Sequence, residues 1–213
     1  QGGSKISRHI DGLLQPAFKT LYRPLLVHRL DKNTSGALIV AKNRISAKNL
    51  TESFKKKKIK KIYLALVKGK VEQDNFQISK PLKKKKYLGK EKVFVDFEDG
   101  DEAITNVKVI YSLDNFSFLA LSPVTGRTHQ LRVHLSDIGH PIVGDNKYDE
   151  NKNKSSNHFR NPTLQLHCFQ LIFSLLSGKI ETVQAEIRND MKNNINALGV
   201  KRYIPELGKK FLI

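Results

Sequence analysis

The apolar residues of this chain gather in runs as long as a β-strand, and this restricts the possible folds more than any other feature. None of the runs approaches the ~20 consecutive apolar residues that a membrane-spanning helix needs. Polar and glycine-containing segments separate the runs, and most neighbouring runs have the character of antiparallel strands. The predicted strands are residues 25–27, 37–41, 60–71, 92–97, 103–113, 116–124, 164–175 and 182–187.

Fewer segments show the periodicity of a helix. In one of them Ile45, Leu50 and Phe54 fall on the same side of a helical surface. The predicted helices are residues 4–22, 44–59, 128–139 and 186–198, and the predicted loops are the lysine-rich segment 74–92 and the polar segment 151–157. Because strands outnumber helices, the fold class is predicted to be α+β.

The charge of the chain indicates the kind of partner. Lys and Arg number 38 against 20 Asp and Glu, which gives a net charge of +18. Such an excess is typical of proteins that bind nucleic acid or an anionic membrane surface. No lipid-facing amphipathic helix is evident, so nucleic acid is favoured over a membrane, and a merely soluble basic protein is the alternative. The lysine runs at 55–58, 60–61 and 83–86 are candidate phosphate contacts, and they predict binding that weakens steeply with salt.

The cysteine and histidine residues indicate neither a disulfide nor a metal site. Cys168 is the single cysteine, so no disulfide can form within the chain, which fits a reducing compartment such as the cytoplasm. It lies in an apolar run and is predicted to be a core residue. His129, His134 and His140 lack the spacing and the Cys or carboxylate partners of a metal site, so no metal is expected.

The stretch HRLDKNTSG, residues 28–36, connects two predicted strands. Asp, Asn, Ser and Gly are the residues that tight turns prefer, so a structural turn is one interpretation. However, Asp31 is the only acid of the stretch and lies near Arg29, Lys32 and His28. Neighbouring cations favour the charged form of a carboxylate, which suits a nucleophile, an electrostatic catalyst or a plain ion pair.

A second polar stretch, GRTHQLR, follows the strand predicted at 116–124. Thr128 is predicted to cap a basic helix whose first turns contain Arg127, His129 and Arg132. A helix N-terminus and cationic side chains together can hold phosphate groups. The stretch therefore predicts a second contact with nucleic acid.

Taken together, HRLDKNTSG (28–36), KKIYLALVKG (60–69) and GRTHQLRVHLSDIGHPIVGD (126–145) resemble the RluA family of pseudouridine synthases, in the order of the family and over essentially the whole chain. QGGS, residues 1–4, resembles the end of the family's opening motif. The resemblance implies one catalytic domain over residues 1–213, with a central, mostly antiparallel mixed sheet flanked by helices and loops. The family's first strand and an N-terminal S4-like RNA-binding domain are expected to lie upstream of this chain.

The resemblance also implies a reaction. Uridine in RNA is isomerised to pseudouridine without a cofactor: the N1 glycosidic bond breaks, the uracil turns over, and C5 bonds to the sugar. Asp31 matches the family's catalytic aspartate, Arg132 the arginine that pairs with it, and Tyr63 the tyrosine that stacks on the uracil and reaches a proton of the nucleoside. Leu131 matches an apolar wall of the pocket, and Arg29 a position that helps displace or replace the flipped base. Whether the aspartate forms a covalent sugar adduct or supports a glycal-like intermediate is left open.

The substrate expected from the resemblance is large-subunit ribosomal RNA, because QGGS and SPVTGRTHQLRVH most resemble the family members that act on it. The RNA-binding residues would be Arg127, His129, Lys83, Lys84, Lys85 and Lys86. The protein is expected to be bacterial, cytoplasmic and monomeric. The alternatives are a transfer RNA substrate, a non-catalytic RNA-binding or ribosome-assembly protein, and an RNA hydrolase, which would lack the second carboxylate or metal that such chemistry needs.

Overall fold

The structure is a computed structural model that describes residues 10–17, 23–150, 159 and 162–199. The opening motif at residues 1–4 and the loop predicted at 151–157 lie outside the described residues. The helix predicted at 4–22 is described at residues 10–17, where it is helical. The predictions for the rest of that segment lie outside the described residues.

The described residues form a mixed α+β fold, which confirms the predicted class. Its helices are α1 (Ile10–Ala17), α2 (Arg44–Lys55), α3 (Gln130–Asp137) and α4 (Asn189–Ala197). Its strands are β1 (Leu25–Leu26), β2 (Ser35–Gly36), β3 (Val40–Ala41), β4 (Lys60–Lys68), β5 (Asn75–Ser79), β6 (Leu82–Tyr87), β7 (Lys90–Val95), β8 (Ile104–Ser112), β9 (Phe116–Pro123), β10 (Leu166–Ser174) and β11 (Ile180–Gln184).

A seven-stranded sheet is the centre of the fold. Six of its strands follow the order β11-β10-β4-β9-β8-β5, and all of these neighbours pair antiparallel. The short strand β2 pairs with β10 in parallel, so the sheet is mixed but mostly antiparallel, as predicted. β1 pairs with β3, and β6 pairs with β7, in two separate two-stranded sheets.

The alternation of side chains along β4 produces a core on each face of the sheet. Ala65 and Val67 point to one face, where they pack with Leu131 and Leu135 of α3. Ile62 and Leu64 point to the other face, where they pack with Phe118 of β9 and with Met191 and Ile195 of α4. A strand that is buried on both faces has a nearly continuous apolar sequence, and the sequence of β4 has this character. Tyr63 and Lys61 lie on the α3 face by the same alternation.

The prediction of a loop over residues 74–92 was wrong. That segment contains β5 and β6, and β6 forms a hairpin with β7 in which Lys84 faces Val93 and Lys85 faces Lys92. Lysine is depleted in strands in general, but it is tolerated on exposed strands, where its charge also opposes edge-to-edge association. The four consecutive lysines were therefore typical of a loop, although they belong to a strand that the pairing with β7 stabilises.

Candidate active site

A cavity of about 460 Å³ opens beside the end of β9 and the start of β4. Asp31, Tyr63, Arg29, Leu131 and Arg127 all line it, so the fold brings together five residues that the sequence predicted for the site. Residues from 28–34, α2, β4 and the segment 123–131 form its walls. The predicted residues Arg132, His129 and Lys83–Lys86 are not among the lining residues.

The turn that carries Asp31 is fixed against the central sheet by Gly36. The backbone N–H of Thr34 donates to the carbonyl of Asp31 at 3.0 Å, and Asn33 between them has a positive φ of 71°. Gly36, with a φ of 114°, then pairs with Cys168 of β10. A Cβ atom at Gly36 would lie 2.2 Å from the Cys168 carbonyl oxygen, so only glycine permits this approach.

This pairing places Asp31 beside Tyr63. Cys168 is paired with Gly36 on one side and with Tyr63 of β4 on the other, so the three residues lie at one level of the sheet. The charge of Asp31 acts on the hydroxyl of Tyr63. The stretch is therefore a turn, as its composition suggested, and it also presents a carboxylate to the cavity.

Burial raises the pKa of Asp31 above its ordinary value, against the opposing charges of Arg132 and Arg29. The neighbouring carboxylate of Asp145 raises it further, and Lys147 lowers it. The sequence predicted that neighbouring cations would favour the charged form of this carboxylate, and the charges of Arg132 and Arg29 do act in that direction. The desolvation of the carboxylate outweighs them, so the net shift of its pKa is upward.

Arg132 lies near Asp31, but its hydrogen-bonding partner is Asp145. Its Nε and one terminal nitrogen donate to the two carboxylate oxygens of Asp145, each at 2.7 Å, and both side chains are almost fully buried. The backbone N–H groups of Lys147 and Tyr148 donate to the same carboxylate. The predicted pairing of Arg132 with Asp31 is therefore corrected: the arginine contributes its charge to Asp31, while its planar fork is held by Asp145.

Burial alone would raise the pKa of Asp145, but the hydrogen bonds from Arg132 and from the backbone hold this pKa below its ordinary value. Asp145 is therefore ionised whenever Asp31 is. Sequence reasoning missed this residue, since it lies 13 positions after Arg132 with no local periodicity to link the two. The acid in GHPIVGD was the available signal.

Tyr63 is half-buried in the cavity wall and is paired with Cys168 of the neighbouring strand β10. Burial raises its pKa well above the ordinary value, and the charges of Cys168 and Asp31 act in the same direction. Tyr63 is thus a neutral phenol at neutral pH. Burial also raises the pKa of the Cys168 thiol to about 11, and this residue is fully buried, which confirms the prediction that it belongs to the core.

The start of α3 differs from the prediction. The N-cap residue is His129, not Thr128, and it has a left-handed φ of 55° without a side-chain capping bond. Its Nδ1 is hydrogen-bonded to the hydroxyl of Tyr148 at 2.7 Å, and burial together with the charges of Arg132 and Lys147 lowers its pKa to about 4. His129 is therefore neutral at neutral pH, and the cationic phosphate contact predicted for it is corrected.

Arg127 is exposed at the rim of the cavity. Its Nε donates to the carbonyl of Glu102 at 3.0 Å, and a terminal nitrogen lies 3.6 Å from a carboxylate oxygen of Asp101. Arg29 is also exposed, whereas Leu131 is buried in the wall, as expected for an apolar lining residue. The two arginines thus flank an opening whose interior is partly apolar.

The four lysines at 83–86 lie on the hairpin of β6 and β7, outside the cavity. Lys84 pairs with Glu91 and Lys85 with Asp96, both at 2.6 Å, and the side chains of the two lysines are about half exposed. Alternation puts Lys83 and Lys85 on the same face as Tyr87 and Phe94, whose rings are 5.7 Å apart. This face interleaves cations and aromatic rings.

Two further residues of the cavity were not predicted as active-site residues. His28 stacks on Phe54, with 4.5 Å between ring centroids, and its Nε2 accepts a hydrogen bond from the backbone N–H of Ile39 at 2.8 Å. The sequence indicated Lys61 only as a phosphate contact, but the structure places it within the cavity wall. Its position two residues before Tyr63 in a strand was the signal, since both side chains then share a face.

The described residues contain neither a cluster of metal ligands nor a membrane-spanning helix. In residues 10–17, 23–150, 159 and 162–199, no three His, Cys, Asp or Glu side chains converge as metal ligands would. Within the same part of the chain, no helix combines the length and the apolar character needed to cross a bilayer.

Comparisons with known proteins identify the family. The model of the RNA pseudouridylate synthase family matches residues 3–137. A ribosomal large subunit pseudouridine synthase C of Rickettsia bellii is 42% identical over 153 residues, which are 71% of this chain and 51% of that protein. A ribosomal large subunit pseudouridine synthase D of Borreliella burgdorferi is 39% identical over 149 residues, which are 70% of this chain and 44% of that protein.

A solved structure agrees with these matches. Human RNA pseudouridylate synthase domain containing 1 superposes with a TM-score of 0.68 at 31% identity, covering 80% of this chain and 73% of that one. The chain spans about half the length of the curated relatives that it matches. The matched residues contain both the turn of Asp31 and the cavity strand of Tyr63. The chain belongs to the RNA pseudouridylate synthase family, as its resemblance to the RluA group predicted.

Proposed function

We propose that this protein isomerises uridine to pseudouridine in large-subunit ribosomal RNA, with Asp31 as the catalytic carboxylate. The observation that carries the proposal is the placement of Asp31 and Tyr63 side by side in one cavity of a chain that belongs to this family. Relatives named as ribosomal large subunit synthases support the RNA substrate. We propose a cytoplasmic monomer as the working form.

The reaction requires negative charge next to the sugar. As the bond between N1 and C1′ breaks, its electron pair leaves with the uracil and C1′ becomes electron-deficient. The Asp31 carboxylate either bonds to C1′ or stabilises the positive charge on the sugar. The uracil then turns, C5 bonds to C1′, the proton of C5 is lost, and N1 gains a proton, so that the net change is an isomerisation.

The remaining residues of the cavity prepare this step. Arg132 places positive charge near Asp31 and opposes the protonation that burial favours. Tyr63 remains a neutral phenol, which suits stacking on the uracil better than a role that needs phenolate. Arg29 and Arg127 at the rim can contact the phosphates of a strand whose target uridine is flipped inward, a movement that costs a few kcal/mol.

The release of tritium from RNA containing 5-tritiated uridine tests the proposal. Formation of the C5–C1′ bond must expel the hydrogen at C5, so wild-type protein should release tritium from unmodified large-subunit ribosomal RNA. Asp31→Asn should release none, although it should bind the RNA with a similar Kd. Release only from transfer RNA would change the substrate, strand scission would indicate a hydrolase, and RNA binding without release would indicate a non-catalytic protein.

A further inference from the structure

Lys61 is a half-buried cation of the cavity wall that the proposed mechanism does not use, whereas the other two lysines that line the cavity, Lys55 and Lys57, are exposed. It lies on β4, two residues before Tyr63 and on the same face, so about 7 Å of strand separates the two residues. The position of a Cβ atom at Gly126, on the opposite wall, is 3.7 Å from its Nζ. The ammonium group therefore reaches across the cavity toward the segment that follows β9.

No carboxylate of a described residue lies within ion-pair distance of the Lys61 ammonium. Its neighbours are the ring of His28 and the thiol of Cys168. His28 cannot supply a negative charge. Its Nε2 accepts a hydrogen bond from a backbone N–H, and burial together with the charge of Lys61 lowers its pKa to about 4, so it is neutral. An unneutralised, half-buried cation is costly unless a ligand provides the missing charge.

Asp31 and Lys61, the two charged lining residues that are not exposed, lie in different parts of the cavity wall. Asp31 acts on Tyr63 and is influenced most by Arg132, Arg29, Asp145 and Lys147, and Lys61 is not among these groups. Lys61 acts instead on His28 and is influenced by Cys168. The cavity thus has a negative group at the turn of residues 28–36 and a positive group at the start of β4, and Tyr63, on which the charge of Asp31 acts, follows Lys61 by two residues on the same face of that strand.

This polarity matches the separation of charge when the glycosidic bond breaks. The sugar becomes electron-deficient at C1′, and the uracil takes the electron pair, whose charge is shared by its two carbonyl oxygens. With C1′ at Asp31, the ring extends across Tyr63 toward the start of β4. Exposed arginines at the rim can serve the phosphates, which leaves the interior cation for the base.

We propose that the ammonium of Lys61 binds a carbonyl oxygen of the flipped uracil and stabilises the negative charge that the base acquires when the N1–C1′ bond breaks. The inference rests on the proposed function, because it names a second catalytic residue for the same reaction. It differs from a phosphate contact in its expected effect: Lys61 should lower the barrier of the chemical step and contribute little to the affinity for RNA.

Single-turnover tritium release at saturating enzyme tests the proposal. Lys61→Met should lower the rate by roughly 10²- to 10³-fold, the usual effect of removing one group that stabilises a developing anion. The Kd for RNA should stay close to that of the wild type, because the interaction forms fully only when the base becomes an anion. Lys70→Met is the matched control, since Lys70 is exposed beyond the far end of β4, and it should keep the wild-type rate. A wild-type rate for Lys61→Met, or a weaker Kd with an unchanged saturated rate, would overturn the proposal.

A substrate with a better leaving group separates electrostatic stabilisation from a structural role. The anion of 5-fluorouracil is more stable than the anion of uracil, so cleavage of the glycosidic bond of 5-fluorouridine in RNA should depend less on Lys61. Nuclease digestion and mass spectrometry would measure this cleavage. An equal loss with both substrates would show that Lys61 acts only on the fold. If Lys61→Met does not fold, Lys61→Gln carries the same comparison. Absence of release by wild-type protein would instead refute the proposed function itself.

Discussion

Two lysine-rich segments look alike in the sequence but have different environments in the structure. The segment 55–61 ends α2 and enters β4, and its last residue, Lys61, is half-buried in the cavity wall. The segment 83–86 lies on an exposed hairpin, where Lys84 and Lys85 pair with acids of the same chain. The difference teaches that a cationic run in the sequence does not determine the burial or the partners of its lysines, and these are the properties on which the roles proposed for Lys61 and for the hairpin lysines rest.

The ion pairs of the two regions differ in the same way. Arg132 and Asp145, beside the cavity, have side chains that are 9% and 1% exposed. Lys84 and Glu91, on the hairpin, have side chains that are 52% and 65% exposed. Water and salt screen the second pair but not the first, so the two pairs should respond very differently to the loss of one partner.

The largest effect is expected from Asp145→Ala. The substitution would leave the Arg132 guanidinium buried without its carboxylate, and breaking such a pair by removing one partner costs about 3–5 kcal/mol of the free energy of unfolding. Urea denaturation with the m-value recorded would measure the loss. A loss below about 1 kcal/mol would contradict this expectation and would indicate that Arg132 finds another acid, of which Asp31 is the nearest candidate.

The environment of Arg132 also shows how far the sequence could lead. The resemblance to the family predicted the cavity residues Asp31, Tyr63 and Leu131, whereas the local runs of apolar residues predicted the strands β4 and β9. They could not give the pairing of Arg132, since the resemblance left Asp145 without a role and no local pattern connects the two residues. Nor could they give the direction of the Asp31 pKa, which depends on how much water the folded cavity excludes.

A second effect should appear when all four hairpin lysines, Lys83, Lys84, Lys85 and Lys86, are changed to Ala. We expect the affinity for RNA to fall, and the slope of log Kd against log salt to decrease by up to roughly 3, about 0.7 for each RNA phosphate that is no longer neutralised. The single-turnover rate at saturating enzyme should not change. Filter binding at several salt concentrations, together with tritium release, would measure both quantities. A large fall in the saturated rate would remove the distinction between the hairpin and the cavity.

A third effect should appear in the dependence of the rate on pH. The proposed mechanism requires the carboxylate form of Asp31, and burial raises its pKa, so activity should be lost on acidification at a higher pH than for an ordinary aspartate. The charge of Arg29 lowers that pKa. Arg29→Met should therefore move the acidic limb of the rate profile to higher pH. Single-turnover rates at saturating enzyme across the acidic range would measure the shift.

Arg44→Met is the matched control for this experiment, because Arg44 is an exposed arginine at the start of α2 and does not line the cavity. Its acidic limb should coincide with that of the wild type. If Arg29→Met leaves the acidic limb at the wild-type pH, water screens the charge of Arg29 from Asp31. Charges at the rim of the cavity would then be as weakly coupled as those on the exposed hairpin.

The smallest effect is expected from Lys84→Ala. An exposed ion pair gains little Coulomb energy and orders two long side chains, so its loss should change the free energy of unfolding by less than about 1 kcal/mol. Even this change should vanish in 1 M salt, where charges are screened within about 3 Å. Urea denaturation at low and high salt, beside Asp145→Ala, would measure both. A loss comparable to that of Asp145→Ala would mean that exposure does not separate the two regions, and the contrast between the cavity and the hairpin would then have to rest on their catalytic and binding effects alone.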